Sequence, residues 1–182
     1  FSDGTEAHAD ILIGCDGLYS PTRDSIDPQA PGPRYVGMVN FGGYTPHDAY
    51  SPPPTTESGV WHMIFGRRAF FGYAIDPLGG TAWFANTPGE QTPKADRETT
   101  DHAHWLSHLA ALSSDDAGPI HELVCNGQLV VAADNTYDLA SVPNWHSGSM
   151  VIIGDAAHAP SSISGQGASL AIEDAVVLAK CL

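Results

Sequence analysis

The stretch that most constrains this 182-residue chain is its last part, residues 150–182, MVIIGDAAHAPSSISGQGASLAIEDAVVLAKCL. Met150–Ile153 is a short apolar run that suits a buried strand, and Gly154-Asp155 stand where that strand ends. In open α/β sheets, ligands bind beyond the carboxyl ends of the strands. A glycine there lets the backbone approach a ligand closely, and a carboxylate can accept from sugar-like hydroxyls. After a loop to Ser164, Gly165-Gln166-Gly167-Ala168-Ser169 opens a helix expected to run from about Gln166 to the end. Its small residues leave backbone N–H groups facing outward at the positive end of the helix dipole, which favours negative charge on a bound ring or phosphate. By spacing alone a plain helix cap is the commoner explanation of the Gly-x-Gly. Leu170 stands where a dinucleotide fingerprint has its third glycine, and no strand leads directly into it.

A second strand-and-turn unit lies near the other end. Ala9–Gly14 (ADILIG) has apolar residues on both faces, as in a buried parallel strand, and enters the turn Cys15-Asp16-Gly17. Pro21, Pro28, Pro31 and Pro33 then forbid a long helix. Arg34–Phe41 reads as a strand broken by Gly42-Gly43, and Thr45–Ser58 as a proline-rich surface loop. Val60–Phe65, Ala69–Ile75 and Thr81–Asn86 alternate as antiparallel strands with turns at Gly66-Arg67-Arg68 and at residues 76–80. They hold seven of the chain's sixteen aromatic residues. That clustering fits a sheet core, or one sheet face lining an apolar pocket for a planar ligand. A helix is expected over Lys94–Leu112, a shorter one over Pro119–Val124, and strands at Leu129–Ala133 and Tyr137–Leu139. The pattern is α/β at both ends around a β-rich centre.

Composition narrows the function. Seven Lys and Arg against 21 Asp and Glu give a net charge of −14, which excludes a nucleic-acid partner and disfavours an anionic membrane surface. No apolar run is long enough to span a bilayer, and no signal peptide is visible. Cys15, Cys125 and Cys181 are far apart and odd in number, so a reducing, cytoplasmic setting is expected. His102, His104 and His108 share one expected helix but lack a His-Glu-x-x-His pattern, and no metal site is assigned. No Gly-x-Ser-x-Gly elbow supports a hydrolase built on Ser20 and His158. His158 is expected to pack the turn after Asp155. Glu173 and Asp174 are expected to serve as helix-end charges with a local salt bridge.

Taken whole, Gly-Asp-Ala-Ala-His followed by Gly-Gln-Gly-Ala-Ser and an acidic-then-apolar helix resembles the second flavin motif of the class A flavoprotein monooxygenases, the para-hydroxybenzoate hydroxylase-like family. Residues 9–23 (ADILIGCDGLYSPTR) resemble that family's Asp-Gly motif, and Gly14 and Gly154 stand 140 positions apart in the family's order. The resemblance implies an FAD-binding Rossmann-like domain of the glutathione-reductase type, present in part, with an inserted antiparallel β-rich substrate domain. Residues 1–30 and 141–182 would belong to the FAD-binding domain and 31–140 to the substrate domain. It implies FAD as cofactor and NAD(P)H as co-substrate, with oxygen transferred to an aromatic or other electron-rich small molecule. The residues implied are binders, with no side-chain nucleophile. Asp155, after Gly154, would meet the ribityl chain. In the binding segment Gly165, Gln166, Gly167, Ala168 and Ser169, the backbone of the last three would face the flavin ring at its N1/O2 edge. Asp16 and Gly17 would lie by the diphosphate region, and Arg23 would support the nicotinamide nucleotide.

The chain departs from the family pattern at three places. Cys15 stands where alanine is usual, and Ser162 where a proline near the flavin's reactive edge is expected, with Pro160 two residues earlier. No strand-G-x-G-x-x-G-helix opens the sequence, and Phe1–Thr5 reads as a strand end entering a turn. An excerpt of a longer enzyme is therefore expected, one that alone binds FAD poorly. The same motifs would suit a related halogenase or reductase of the same fold, or a non-catalytic truncated remnant.

Overall fold

The computed structural model describes residues Ser2–Leu182; Phe1, with the first position of the expected Phe1–Thr5 strand end, lies outside them. The chain forms two compact units. One comprises the residues up to Val36 together with Tyr137–Leu182, and the other Gly37–Thr136.

In the first unit, β1 (Leu12–Gly14) pairs in parallel with β8 (Met150–Ile152), and β7 (His146–Ser147) pairs antiparallel with β8. The register Gly14↔Ile152 sets the ends of the two expected strands side by side. Strand β1 is shorter than Ala9–Gly14 and is not buried: Ile11, Leu12 and Ile13 are exposed. The reason is its place at the edge of the three-stranded order β1-β8-β7, with a neighbour on one side only. Helix α1 (Pro21–Ile26) starts on Pro21, whose missing N–H costs nothing at the first helical position, and Ser20 caps it by accepting from the Arg23 amide. The core is small: Leu139, Val142, Ile152, Ala156, Ala157 and Ala159, with Leu18 and Ile26 against it. Strand β8 leads into the one-turn α5 (Asp155–His158), a 3-10 turn at Ser162–Ser164, and α6 (Gly167–Cys181).

The second unit is built on a five-stranded sheet of order β3-β4-β5-β2-β6. Strands β3 (Trp61–Phe65), β4 (Phe70–Ile75) and β5 (Thr81–Pro88) form the expected antiparallel run. Strand β2 (Arg34–Thr45) runs straight through Gly42-Gly43. Gly43 is a packing requirement rather than a break, because a Cβ there would lie 2.1 Å from the Trp83 ring, whereas one on Gly42 would make only ordinary contact with Val131. Strand β6 (Gln128–Asp138) is likewise one strand where two were expected, with Ala133 at φ 50° absorbing the irregularity. The expected helix over Lys94–Leu112 is two. Helix α2 (Lys94–Thr99) ends at the extended Thr100, and α3 (His102–Ser113) begins where Asp101 accepts from the Ala103 amide. An aspartate there competes for the backbone and starts a new helix. Helix α4 (Ile120–Asn126) follows.

The period of two gives the sheet two different faces. Phe41, Phe71, Tyr73, Trp83 and Ala85 share the buried one, in the same core as Leu109, Leu123 and Val124 from the helices. Trp83 is 2% exposed, and its indole N–H donates to Thr45 Oγ1, which donates in turn to the Leu123 carbonyl, so the polar edge is satisfied. On the opposite face Trp61, Met63 and Phe65 are exposed beside Phe70 and Phe84. The aromatic cluster thus supplies the sheet core on one face and an exposed apolar surface on the other. Gly43→Ala should destabilise the protein by about 1–3 kcal/mol in chemical denaturation, the usual cost of overpacking, whereas Gly32→Ala, with open space around it, should change stability far less.

Candidate functional site: a groove between the Gly-Asp turn and a helix N-terminus

The parallel β1–β8 pair delivers two turns to the same sheet edge. After β1, the loop Cys15–Ser20 is shaped by Asp16. Its carboxylate accepts from the Ser20 hydroxyl at 2.5 Å and from the Thr22 amide and hydroxyl at 2.9 and 2.7 Å. Burial alone would push the Asp16 carboxyl up, but the Ser20 and Thr22 hydrogen bonds outweigh it and hold it below the usual carboxylate range. Gly17 takes φ 79°, with open space where a side chain would stand. After β8, Gly154 takes φ 61°, and its carbonyl accepts from the Ala157 and His158 amides to start α5. Asp155 is exposed, and no described residue hydrogen-bonds its carboxylate.

Between these turns and α6 lies a groove of about 540 Å³. Cys15 and Gly17 come from the first turn, Ile153, Gly154 and Asp155 from the second, and Gly167, Ala168, Ala171 and Ala175 from the helix. The helix wall is narrow because its residues are small. A Cβ on Gly154 would lie 3.2 Å from that of Ala171, and one on Gly167 would lie 3.5 Å from Asp155 Oδ1. No side chain caps α6, so its first N–H groups face the groove's end at the positive pole of a 15-residue helix.

Of the residues singled out by sequence, Gly17, Gly154, Asp155, Gly167 and Ala168 line this groove together. Gly165 lies just outside it as the left-handed residue ending the 3-10 turn, with φ 65°. Gln166 is the N-cap of α6, and Ser169 turns its hydroxyl back to the Gln166 carbonyl. Asp16 spends both carboxylate oxygens within its own loop.

Arg23 departs most from the expectation. It is 2% exposed, and its guanidinium donates to the Leu18 carbonyl at 2.9 Å and the Ala156 carbonyl at 3.1 Å. It is a buried tie between the two turns, not an open seat for a nucleotide anion. Sequence reading also missed Ala171 and Ala175. Their spacing from Gly167, four and then eight residues, marks a small-residue helix face that was legible in principle. His158, expected to pack the turn after Asp155, pairs with Asp174 of α6 at 2.5 Å, a partner not read from the sequence. Of the helical histidines, His108 is held below its ordinary range by burial and then by His104. Among the described residues no three His, Cys, Asp or Glu side chains gather to hold a metal.

The groove has small walls that leave room for a flat ring, uncapped amides that favour negative charge, and a free carboxylate able to accept from hydroxyls. Asp16, whose lowered pKa lends the fold stability above the ordinary carboxyl pKa, loses that contribution as pH falls through its folded value. Acid unfolding of the wild type should therefore include a carboxylate step below about pH 4 that is absent in Asp16→Asn when circular dichroism is followed against pH.

Comparison with known proteins agrees with this geometry. The model of the FAD binding domain family matches residues 2–182. The aurachin C monooxygenase/isomerase of Stigmatella aurantiaca is 33% identical over 185 residues, covering all of this chain and 44% of that protein. The 6-hydroxynicotinate 3-monooxygenase of Pseudomonas fluorescens is 28% identical over 195 residues, covering all of this chain and 46% of that protein. The crystal structure of Klebsiella pneumoniae HpxO complexed with FAD and uric acid superposes with a TM-score of 0.75 at 25% identity, over 98% of this chain and 44% of HpxO. The chain spans less than half the length of these relatives. With its groove, its two motifs and a family match from residue 2 to residue 182, the chain belongs to the FAD-binding domain family of the class A flavoprotein monooxygenases.

Proposed function

We propose that this chain supplies the flavin-ring and ribityl part of an FAD site, and a substrate-facing sheet, to an NAD(P)H-using monooxygenase that hydroxylates an aromatic or other electron-rich small molecule. The groove between Asp155 and the α6 N-terminus carries the reading. Residues up to Val36 with Tyr137–Leu182 would be the flavin-binding part, and Gly37–Thr136 the substrate part. Flavin held by these residues would supply the redox chemistry, hydride acceptance from reduced nicotinamide and activation of dioxygen.

The chain's own residues bind, orient and exclude water. Asp155 would accept from ribityl hydroxyls, and the amides of Gly167, Ala168 and Ser169 would stabilise negative charge at the ring's N1/O2 edge. Gly17 would leave room for the diphosphate. No lysine or arginine lines the groove, so anionic parts of the cofactor would meet backbone N–H groups there. On the second unit, the exposed face of Trp61, Met63, Phe65, Phe70 and Phe84 suits a planar apolar substrate. Uric acid, complexed with HpxO, and the 6-hydroxynicotinate of the Pseudomonas fluorescens relative's name are both planar rings. Among the described residues no helix is long and apolar enough to cross a membrane. The three unpaired cysteines suit a reducing compartment such as the cytoplasm.

FMN carries the ring and ribityl chain without the adenosine half, so it isolates the part of the site this chain holds. Titrated into isotope-labelled chain, FMN should move the amide resonances of Gly17, Asp155, Gly167 and Ala168 in fast exchange, while AMP leaves them in place. Asp155→Ala should weaken FMN at least about tenfold, the loss of a hydrogen bond to a charged group. Shifts elsewhere, or equal shifts with AMP, would remove this reading.

A further inference from the structure

Asp174 stands on α6 two turns beyond Gly167, on the face that also carries Ala171. It does not line the groove, and the flavin reading gives it no task. Its Oδ2 atom nevertheless accepts two hydrogen bonds from the opposite wall, from the Gly154 amide at 2.8 Å and from His158 Nε2 at 2.5 Å. A carboxylate only accepts, so His158 carries its proton on Nε2. The His158 Nδ1 atom is buried without a partner among the described residues, and the Trp145 ring packs beside the imidazole at 5.4 Å. The Asp174 bond is thus the polar tie that orients this ring.

Gly154 and His158 are the two ends of α5: the first is its cap, the second its last residue. One carboxylate oxygen therefore grips both ends of the turn that presents Asp155. From this geometry we infer that Asp174 is a positioning residue for the cofactor groove, fixing the Asp155 turn to the helix whose N-terminus forms the opposite wall. The reason it is needed lies in Gly154. At φ 61° a glycine has open alternatives on both sides of the φ map, so nothing intrinsic holds the turn where Asp155 faces Gly167. Two hydrogen bonds to a half-buried carboxylate supply that restraint, and ionised acceptors make the stronger bonds. The spacing completes the device. Because Gly167, Ala171 and Asp174 share one face, the bond that anchors the turn also fixes which face of α6 looks into the groove.

The assignment to a cofactor rests on the flavin reading, so the test has one arm that needs no flavin. Amide hydrogen exchange and FMN titration are followed by NMR on the whole chain in wild type, Asp174→Ala, Asp174→Asn and His158→Gln. The diagnostic amides are Ala157 and His158, which bond the Gly154 carbonyl and not Asp174 itself. In Asp174→Ala they should exchange at least tenfold faster, with Val151 and Ile152 of β8 within threefold of wild type. The FMN-induced shift at Asp155 should fall to less than a third. Asp174→Asn, which keeps one acceptor for the Gly154 amide, should lie between. His158→Gln, whose side-chain amide can donate from nearly the same place, should restore most of the protection.

Unchanged exchange at Ala157 and His158 in Asp174→Ala overturns the inference, and so does a uniform rise through β8 and α6, which would mean general stability and no positioning. Should Asp174→Ala fail to fold, Asp174→Asn decides on the same amides. A wild-type chain that ignores FMN removes the flavin reading, and the exchange pattern still decides whether Asp174 fixes the turn.

Discussion

The first unit depends on a buried guanidinium. Arg23 enters the interior and donates to the carbonyls of Leu18 and Ala156, residues 138 positions apart in sequence. Hydrogen bonds from a charged donor are each worth about 1.5–3 kcal/mol, and a buried charge left without them is costly. The arginine therefore cannot move without both turns moving. The core around it is small and rich in alanine, which leaves polar ties a larger share of the specification than they have in a larger core. The same logic is built into the loop: Ser20 accepts from the Arg23 amide while donating to Asp16, so the α1 cap and the Asp-Gly turn are one network.

The groove follows from that placement. The β1–β8 register ends both strands together, the arginine locks the loops that leave them, and α6 closes the third side with glycine and alanine where larger side chains would fill the space. What remains open is chemically specific. It has one free carboxylate, one uncapped helix end and no basic side chain. In a chain with net charge −14, an anionic cofactor held there would be met by backbone dipoles, which fix negative charge at one point without the freedom of a long lysine or arginine.

Much of this was legible before any coordinates. The Gly154-Asp155 turn, the helix opening at Gly167 and the antiparallel run over β3, β4 and β5 follow from local signals that tertiary structure leaves intact. The misreadings share a cause, which is that the deciding contact lies far off in sequence. Gly42-Gly43 looked like a strand break because Trp83, the ring needing that space, is forty positions away. Arg23 looked like an anion receptor because its acceptor at Ala156 is backbone, which leaves no mark on composition. Strand β1 looked buried because apolar residues on both faces do not reveal that a strand has only one neighbour. The helix over Lys94–Leu112 failed for the opposite reason: Asp101, inside the expected span, carried a local capping signal that ends one helix and starts the next.

The central claim is that the two motifs, joined through β1–β8 and Arg23, make one seat for the flavin ring and its ribityl chain. A crystal structure of the chain with FAD at saturating concentration tests it most directly. The account predicts the ribityl hydroxyls within hydrogen-bonding distance of Asp155 and the pyrimidine edge of the ring at the amides of Gly167 and Ala168, with Arg23 still buried against Leu18 and Ala156. A flavin seated away from this groove, or an Arg23 that leaves its carbonyls to meet the cofactor's phosphates, would contradict it.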